Sequence, residues 1–421
     1  MLKRQGILSG ILFGATVVSR TFLLFVLAKY LSLEDLGIFG LFQASILIGV
    51  TLAGLGFHHF SLRHLLQRQL RHWPRRIVDQ AAFMAASMAV VSAGMVALAV
   101  SGMIPPQYGG WLVTLFVLSF LDEEVLRLIR AMRKPVFAAV ARFIGTGLWG
   151  FPLMGLIIFD LVPAELPTVW AAATIGHVAT IVLGIVAMRE LPWFTIRRKR
   201  SIDWRYVRRG IAGGLVLFLA IITSSLTIRG NRYLIEVVCG TGTLGIFTFY
   251  SSIARNCSSA VAAGISGIYH PIFVRSFLEG RREEYRSMLR RSTLYSFGAA
   301  TLLAVGILAV IDPLLTLIGK PQISASVEVL YLLLAAEIVF VTGQGAHFAL
   351  YVRHADRHVL VSQIIGFIAM VALQILLGRA YGVAGAAGAH LAVVAIVAAC
   401  KGSSLWLYDR GKPPQRTPID S

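Results

Sequence analysis

The sequence predicts an all-α integral membrane protein of twelve transmembrane helices, and three observations carry that prediction. Of the 421 residues, 57% are hydrophobic and only 14% charged, with a mean hydropathy of +0.76, a balance foreign to soluble globular domains. The apolar residues fall in runs of roughly 20, about what an α-helix needs to cross a bilayer. Basic residues gather in short loops between alternate runs, the positive-inside pattern of membrane proteins.

The runs lie at about 6–30, 36–57, 80–104, 110–131, 136–159 and 168–188, and after a break at about 210–233, 244–269, 292–311, 326–350, 359–378 and 384–407. The break is RELPWFTIRRKRSIDWRYVRR, Arg189 to Arg209, with eight Arg or Lys residues. Such a loop resists translocation, so it reads as cytoplasmic and sets the orientation of its neighbours. Arg63, Arg68, Arg71, Arg75 and Arg76 then share one cytoplasmic loop, and Arg275, Arg281, Arg282, Arg286, Arg290 and Arg291 another. Arg133 with Lys134, and Arg353 with Arg357, mark two shorter ones, while Pro105–Gly109, Asp160–Pro167 and Asp312–Gln322 on the opposite side carry few positive charges. Both termini are thereby placed in the cytoplasm. The expected organisation is a six-helix lobe over 1–188, a basic linker over 189–209, a second six-helix lobe over 210–407 and a tail over 408–421. The run after Lys3 and Arg4 is too long for a signal peptide and is taken as the first membrane helix.

Topology and anionic headgroups account for the net charge of +19, so no nucleic-acid partner is expected; the His58–Arg76 stretch reads as an amphipathic segment on anionic lipid. Cys239, Cys257 and Cys400 are far apart and follow neither a disulfide nor a metal pattern. GTGTLG at 240–245 fits GxGxxG, but without a surrounding βαβ unit it reads as a turn between helices, and the sequon Asn256-Cys257-Ser258 lies within a predicted membrane helix.

The halves resemble each other. Leu36-Gly37-Ile38-Phe39 opens the second helix and Leu244-Gly245-Ile246-Phe247 the eighth; His177 follows AAATIG and His390 follows GAAGA; Gly6, Gly10 and Gly14 in helix one match Gly210 and Gly214 in helix seven. The offsets are 208, 213 and 204 residues, which implies two repeats of like orientation, with the substrate path between them. Glycines four apart let helix backbones approach closely.

With Ser19-Arg20 followed by LAKYLSLEDLGIFGLFQA at 27–44, GTGTLGIFTFYSSIA at 240–254 and YGVAGAAGAHLA at 381–392, the chain resembles the polysaccharide transporter branch, which includes the O-antigen (Wzx-like) flippases, of the multidrug/oligosaccharidyl-lipid/polysaccharide (MOP) exporter superfamily. The resemblance covers most of the chain. It implies a MOP-type flippase fold in the bacterial inner membrane and translocation of a polyprenyl-pyrophosphate-linked oligosaccharide to the outer leaflet by alternating access. It also implies polysaccharide-assembly proteins as partners. Lipid II flippases of the superfamily carry an Arg in the first helix and an Asp near its outer end; Arg20 and Asp35 fit that pair, although those relatives usually have two further helices.

Ionisable side chains inside apolar helices cost about 2.5–3.5 kcal/mol each and normally face a wet cavity or a partner. The deep singletons here are mostly arginines, whose planar fork binds a phosphate oxygen pair in bidentate fashion, so an anionic cargo is expected. Arg20 and Arg255 lead the substrate-binding candidates, followed by Arg229, Arg232 and Arg142. Glu123 and Glu124 can pair with Arg127 at helical spacing beside Asp122. Glu337, with no local basic neighbour, leads the coupling candidates, with Asp35 and Glu123 after it. His177, His390 and His347 with Gln344 read as packing and interhelical hydrogen bonding. No cofactor, metal or catalytic constellation stands out, so transport driven by a proton or sodium gradient or by membrane potential is expected. The alternatives are a cation-coupled multidrug antiporter, which should prefer cavity carboxylates, and a membrane polymerase or ligase, which would need larger outer loops.

Overall fold

The computed structural model describes residues 2–66, 69–195 and 202–411, and these residues form helices and turns with no strand among them. Cα packing divides the chain into two compact units: Met1–Leu31 with Ile38–Ser225, and Ser32–Gly37 with Leu226–Ser421. The division falls within the helical run Trp204–Cys239, beyond the basic linker, of which residues 196–201 lie outside the described ones.

The first unit holds α1 (Leu2–Tyr30), most of α2 (Leu33–Gly54), α3 (Phe57–Leu66), α4 (Trp73–Val100), α5 (Gly109–Ala131), α6 (Pro135–Phe143), α7 (Gly150–Ile158), α8 (Leu166–Met188) and α9 (Trp204–Ser225). A π-type turn, Ile144–Leu148, joins α6 to α7. Small residues set the spacing around it. Ser19 donates to the Gly147 carbonyl at 2.5 Å, Thr180 to that of Ala141 at 3.0 Å, and a Cβ on Gly176 would meet the Gly145 carbonyl oxygen at 2.6 Å. The AAATIG run of α8 is therefore a packing surface. Phe42 stacks on Trp170 with ring centroids 4.0 Å apart. Most of α3 falls in the His58–Arg76 stretch, and its Phe57 and Phe60 rings lie where a Cβ on Gly210 would have to go, so α3 is packed into the unit. Gly10 and Gly14 differ from expectation: a Cβ on either meets nothing within 4 Å, whereas Gly214 comes within 3.3 Å of the Gly56 carbonyl.

The second unit holds α10 (Asn231–Cys239), α11 (Thr241–Val261), α12 (Gly267–Leu278), α13 (Arg282–Ile318), α14 (Pro321–Ser324), α15 (Glu328–Val352) and α16 (Asp356–Gly411). π-type turns at Leu226–Gly230 and Ala262–Ser266 precede α10 and α12. Gly240 (φ 87°) ends α10, so the GxGxxG match is the joint between two helices. The first turn of α2 also belongs here. A Cβ on Gly37 would strike the Thr241 carbonyl oxygen, and a Cβ on Gly245 that of Leu33. The two copies of the Leu-Gly-Ile-Phe motif thus touch in a pseudo-twofold manner, each glycine against the residue four places before the other.

Among the described residues, ten helical segments are long and apolar enough to cross a membrane. Two features separate this number from the twelve expected runs. α5 carries Asp122, Glu123, Glu124, Arg127 and Arg130, which lower its apolarity, and the last two runs join into one segment, Asp356–Tyr408. That segment breaks at Gly382, with φ 57° and ψ −132°, a conformation essentially confined to glycine. Gly382→Ala is expected to cost about 1–3 kcal/mol, read as a lower midpoint of thermal unfolding in detergent micelles.

Candidate functional site

Each unit carries one concentration of charge. In the first it is built on α5, where helical spacing places Ser119, Asp122, Glu123, Glu124, Arg127 and Arg130 on adjoining turns. Asp122, 2% exposed, has its Oδ2 3.0 Å from His177 Nδ1 on α8, and His177 Nε2 lies 3.3 Å from the Ser119 hydroxyl. His177 thus bridges Asp122 and Ser119 of α5 from α8. Glu124 pairs with Arg127 and accepts from Gln80 Nε2 at 3.0 Å. Glu123 takes a different partner from the one its spacing suggested: Arg142 of α6 donates to it at 2.7 Å, with Arg130 at 3.8 Å. Arg142 and Glu123, expected as separate binding and coupling groups, therefore form one ion pair. Three carboxylates and three guanidiniums balance here. Asp122→Asn keeps the shape but removes the charge that orients His177, and is expected to cost about 1–3 kcal/mol in thermal unfolding.

Arg20, on the same unit, is exposed on α1 next to buried Ser19. The first unit's other polar run lies at the start of α4, where Arg76 donates to Asp203 at 2.9 Å and sits over the Tyr206 ring at 4.3 Å.

In the second unit three arginines gather. Arg229 lies in the π-type turn Leu226–Gly230, Arg232 one turn on in α10, and Arg255 in α11, where α10, α11 and α16 pack together. All three are close enough to interact electrostatically with one another, and His390 of α16 with Arg232 and Arg255. Arg232 is 5% exposed and its guanidinium reaches Ser251 at 3.4 Å. Among the described residues no carboxylate forms an ion pair with Arg255. Asn231 on α10 and Gln374 on α16 are buried with both side-chain polar atoms unpartnered. A gathering of guanidiniums in which Arg255 has no carboxylate in an ion pair among the described residues is chemically suited to an anion.

The remaining coupling candidates lie apart. Asp35 lies in the first turn of α2, which Ser32 caps: the Asp35 backbone N–H donates to the Ser32 hydroxyl at 3.0 Å, and that hydroxyl donates to the Asp35 carboxylate at 2.6 Å. Lys320, in the loop before α14, is within electrostatic reach of Asp35; burial lowers its pKa and that carboxylate opposes the shift. Glu337 is 8% exposed in α15, near the Cys257 thiol, with neither a hydrogen bond nor an ion pair among the described residues. Sequence reasoning missed the Asp122–His177 pair and passed over Lys401, which is 6% exposed on α16. The i, i+3 rule finds partners within one helix, and neither feature lies within one.

No protein-family model matches the chain, and no curated protein matches it either. Solved structures do. A lipid II flippase, MurJ, in an inward closed conformation aligns with a TM-score of 0.68 at 12% identity, covering 97% of this chain and 88% of that one. The chain shares the fold of that flippase. A multidrug transporter of the MATE family, in an outward-facing conformation and described as of the MOP superfamily, aligns at 0.61 with 14% identity and 97% coverage of both chains. The MATE multidrug transporter DinF-BH aligns at 0.60 with 17% identity, over 96% of this chain and 95% of that one.

Proposed function

We propose that this chain is a membrane flippase that moves a polyprenyl-pyrophosphate-linked oligosaccharide from the inner to the outer leaflet by alternating access. The observation that carries the reading is the gathering of Arg229, Arg232 and Arg255 beside His390, with no carboxylate in an ion pair with Arg255 among the described residues, on a fold similar to that of a lipid II flippase. Within the second unit Arg255 holds the pyrophosphate, with Arg229 and Arg232 supporting it; Arg20, on the first unit, is a separate candidate contact for the cargo. Arg142 belongs to this list only through its bond to Glu123, which sets the position of α6 against α5. The sugar crosses in a polar path while the polyprenyl tail stays in lipid. Glu337 is the coupling group, responding to a proton or sodium gradient; Asp35 and Glu123 act through the helix cap and the Arg142 pair.

The topology that goes with this function is twelve crossings: the ten apolar segments, with α5 added and Asp356–Tyr408 counted as two on either side of Gly382. Both termini and the 189–209 linker are cytoplasmic, the membrane is a bacterial inner membrane, and anionic lipids and polysaccharide-assembly proteins are the neighbours, as in the O-antigen branch.

A second reading, cation-coupled drug antiport, is favoured by one observation, the isolated buried carboxyl of Glu337. Binding separates the two. Polyprenyl pyrophosphate, polyprenyl monophosphate and a lipophilic cationic dye are each titrated against the purified protein by thermal shift. The flippase predicts the largest shift with the pyrophosphate, lost in Arg255→Gln. A shift with the dye alone contradicts it.

A further inference from the structure

The second unit contains another buried cation that the flippase reading does not use. α15 and the later part of α16 run parallel and in register: a Cβ on Gly343 would lie 3.0 Å from Ala398, and the Tyr408 hydroxyl lies 3.5 Å from the Arg353 carbonyl, both at an offset of 55 residues. Lys401 therefore stands at the level of His347. His270 of α12 reaches the same level, with its ring 4.4 Å from that of Phe348, and His347 interacts electrostatically with both Lys401 and His270. Lys401 is 6% exposed and has neither a hydrogen bond nor an ion pair among the described residues. His347 Nδ1 and His270 Nε2 are buried and unpartnered. An aromatic layer closes this level on the side of the α12–α13 turn: Phe273 and Tyr285 are buried, and the Arg353 guanidinium lies over the Phe277 and Tyr285 rings at 5.5 and 5.4 Å.

We propose that Lys401, His347 and His270 form a binding site for a small monovalent anion of the halide class. An ammonium offers donors alone, each imidazole adds one more in the tautomer that turns its N–H to an anion, and a charge this buried is stable only when paired. Among the described residues no carboxylate interacts with His347 at this level. A bulky or multiply charged anion carries more dehydration cost than one fixed charge offsets, whereas a halide matches the single ammonium. His390 of the arginine group lies 11 residues earlier on the same helix, about 16 Å along its axis, so the two sites are separate.

Bromide is the probe. Crystals of the full chain grown in sodium bromide are expected to show an anomalous peak bounded by Lys401 Nζ, His347 Nδ1 and His270 Nε2. In solution, chloride and bromide are expected to raise the melting temperature saturably over gluconate, with the half-effect concentration moved at least tenfold upward in His347→Gln and the effect lost in Lys401→Met. The parent crystal needs no variant to fold. An ordered water in place of the peak, or bromide at the arginine group alone, overturns the proposal, as does equal melting in chloride and gluconate.

Discussion

Translocation of a pyrophosphate-linked lipid by Arg255→Ala is expected to fall about 10- to 150-fold, the equivalent of the 1.5–3 kcal/mol that a charge-assisted hydrogen bond contributes. Arg255 is chosen over its neighbours because no carboxylate pairs with it among the described residues, so its removal leaves no orphaned acid. Arg142→Ala carries the opposite expectation. It strands Glu123 and should lower stability more than it lowers specific transport per folded molecule. Measuring folded fraction by size-exclusion profile and transport in the same preparations separates the two effects. A rate for Arg255→Ala equal to the parent removes that residue from the cargo site.

Alanine at Gly245 or at Gly37 is expected to destabilise the protein by about 3 kcal/mol or more, and Ala at Gly10 or Gly14 by nothing measurable. The asymmetry is geometric. At Gly245 and Gly37 the added Cβ meets carbonyl oxygens of Leu33 and Thr241, which cannot swing aside as a side chain can, whereas at Gly10 and Gly14 it meets open space. Thermal unfolding of the four variants in one detergent tests this directly. Similar midpoints for Gly245→Ala and Gly10→Ala would show that the pseudo-twofold contact carries no stability.

The helical segments were legible because the bilayer imposes a length and a polarity that appear in hydropathy. The Leu-Gly-Ile-Phe repeat was legible as sequence, and its meaning came from the close contact of its two copies. What the sequence concealed is three-dimensional. Glu123 has Arg127 at helical spacing yet bonds Arg142, because α6 brings a guanidinium from another helix to the same level. Asp35 is a charge at the end of an apolar run, and only the Ser32 hydroxyl at 2.6 Å reveals a cap. Lys401 sits in AIVAACKGSS, where a lysine near a helix end ordinarily snorkels to the interface; its burial depends on α15 running beside it. The three arginines of the second unit were each visible as deep charges, but their gathering depends on α10, α11 and α16 meeting.

The account turns on the sign of the cargo's charge, and one measurement reads it directly. The purified protein is reconstituted in liposomes with a fluorescent polyprenyl-pyrophosphate oligosaccharide, and its accessibility to a membrane-impermeant quencher is followed under imposed proton and sodium gradients, beside uptake of a cationic dye. Protein-dependent exchange of the pyrophosphate lipid between leaflets, diminished in Arg255→Ala and Arg20→Ala with folding preserved, is the predicted result. Movement of the dye with no movement of the lipid would contradict the account and leave the antiporter in its place.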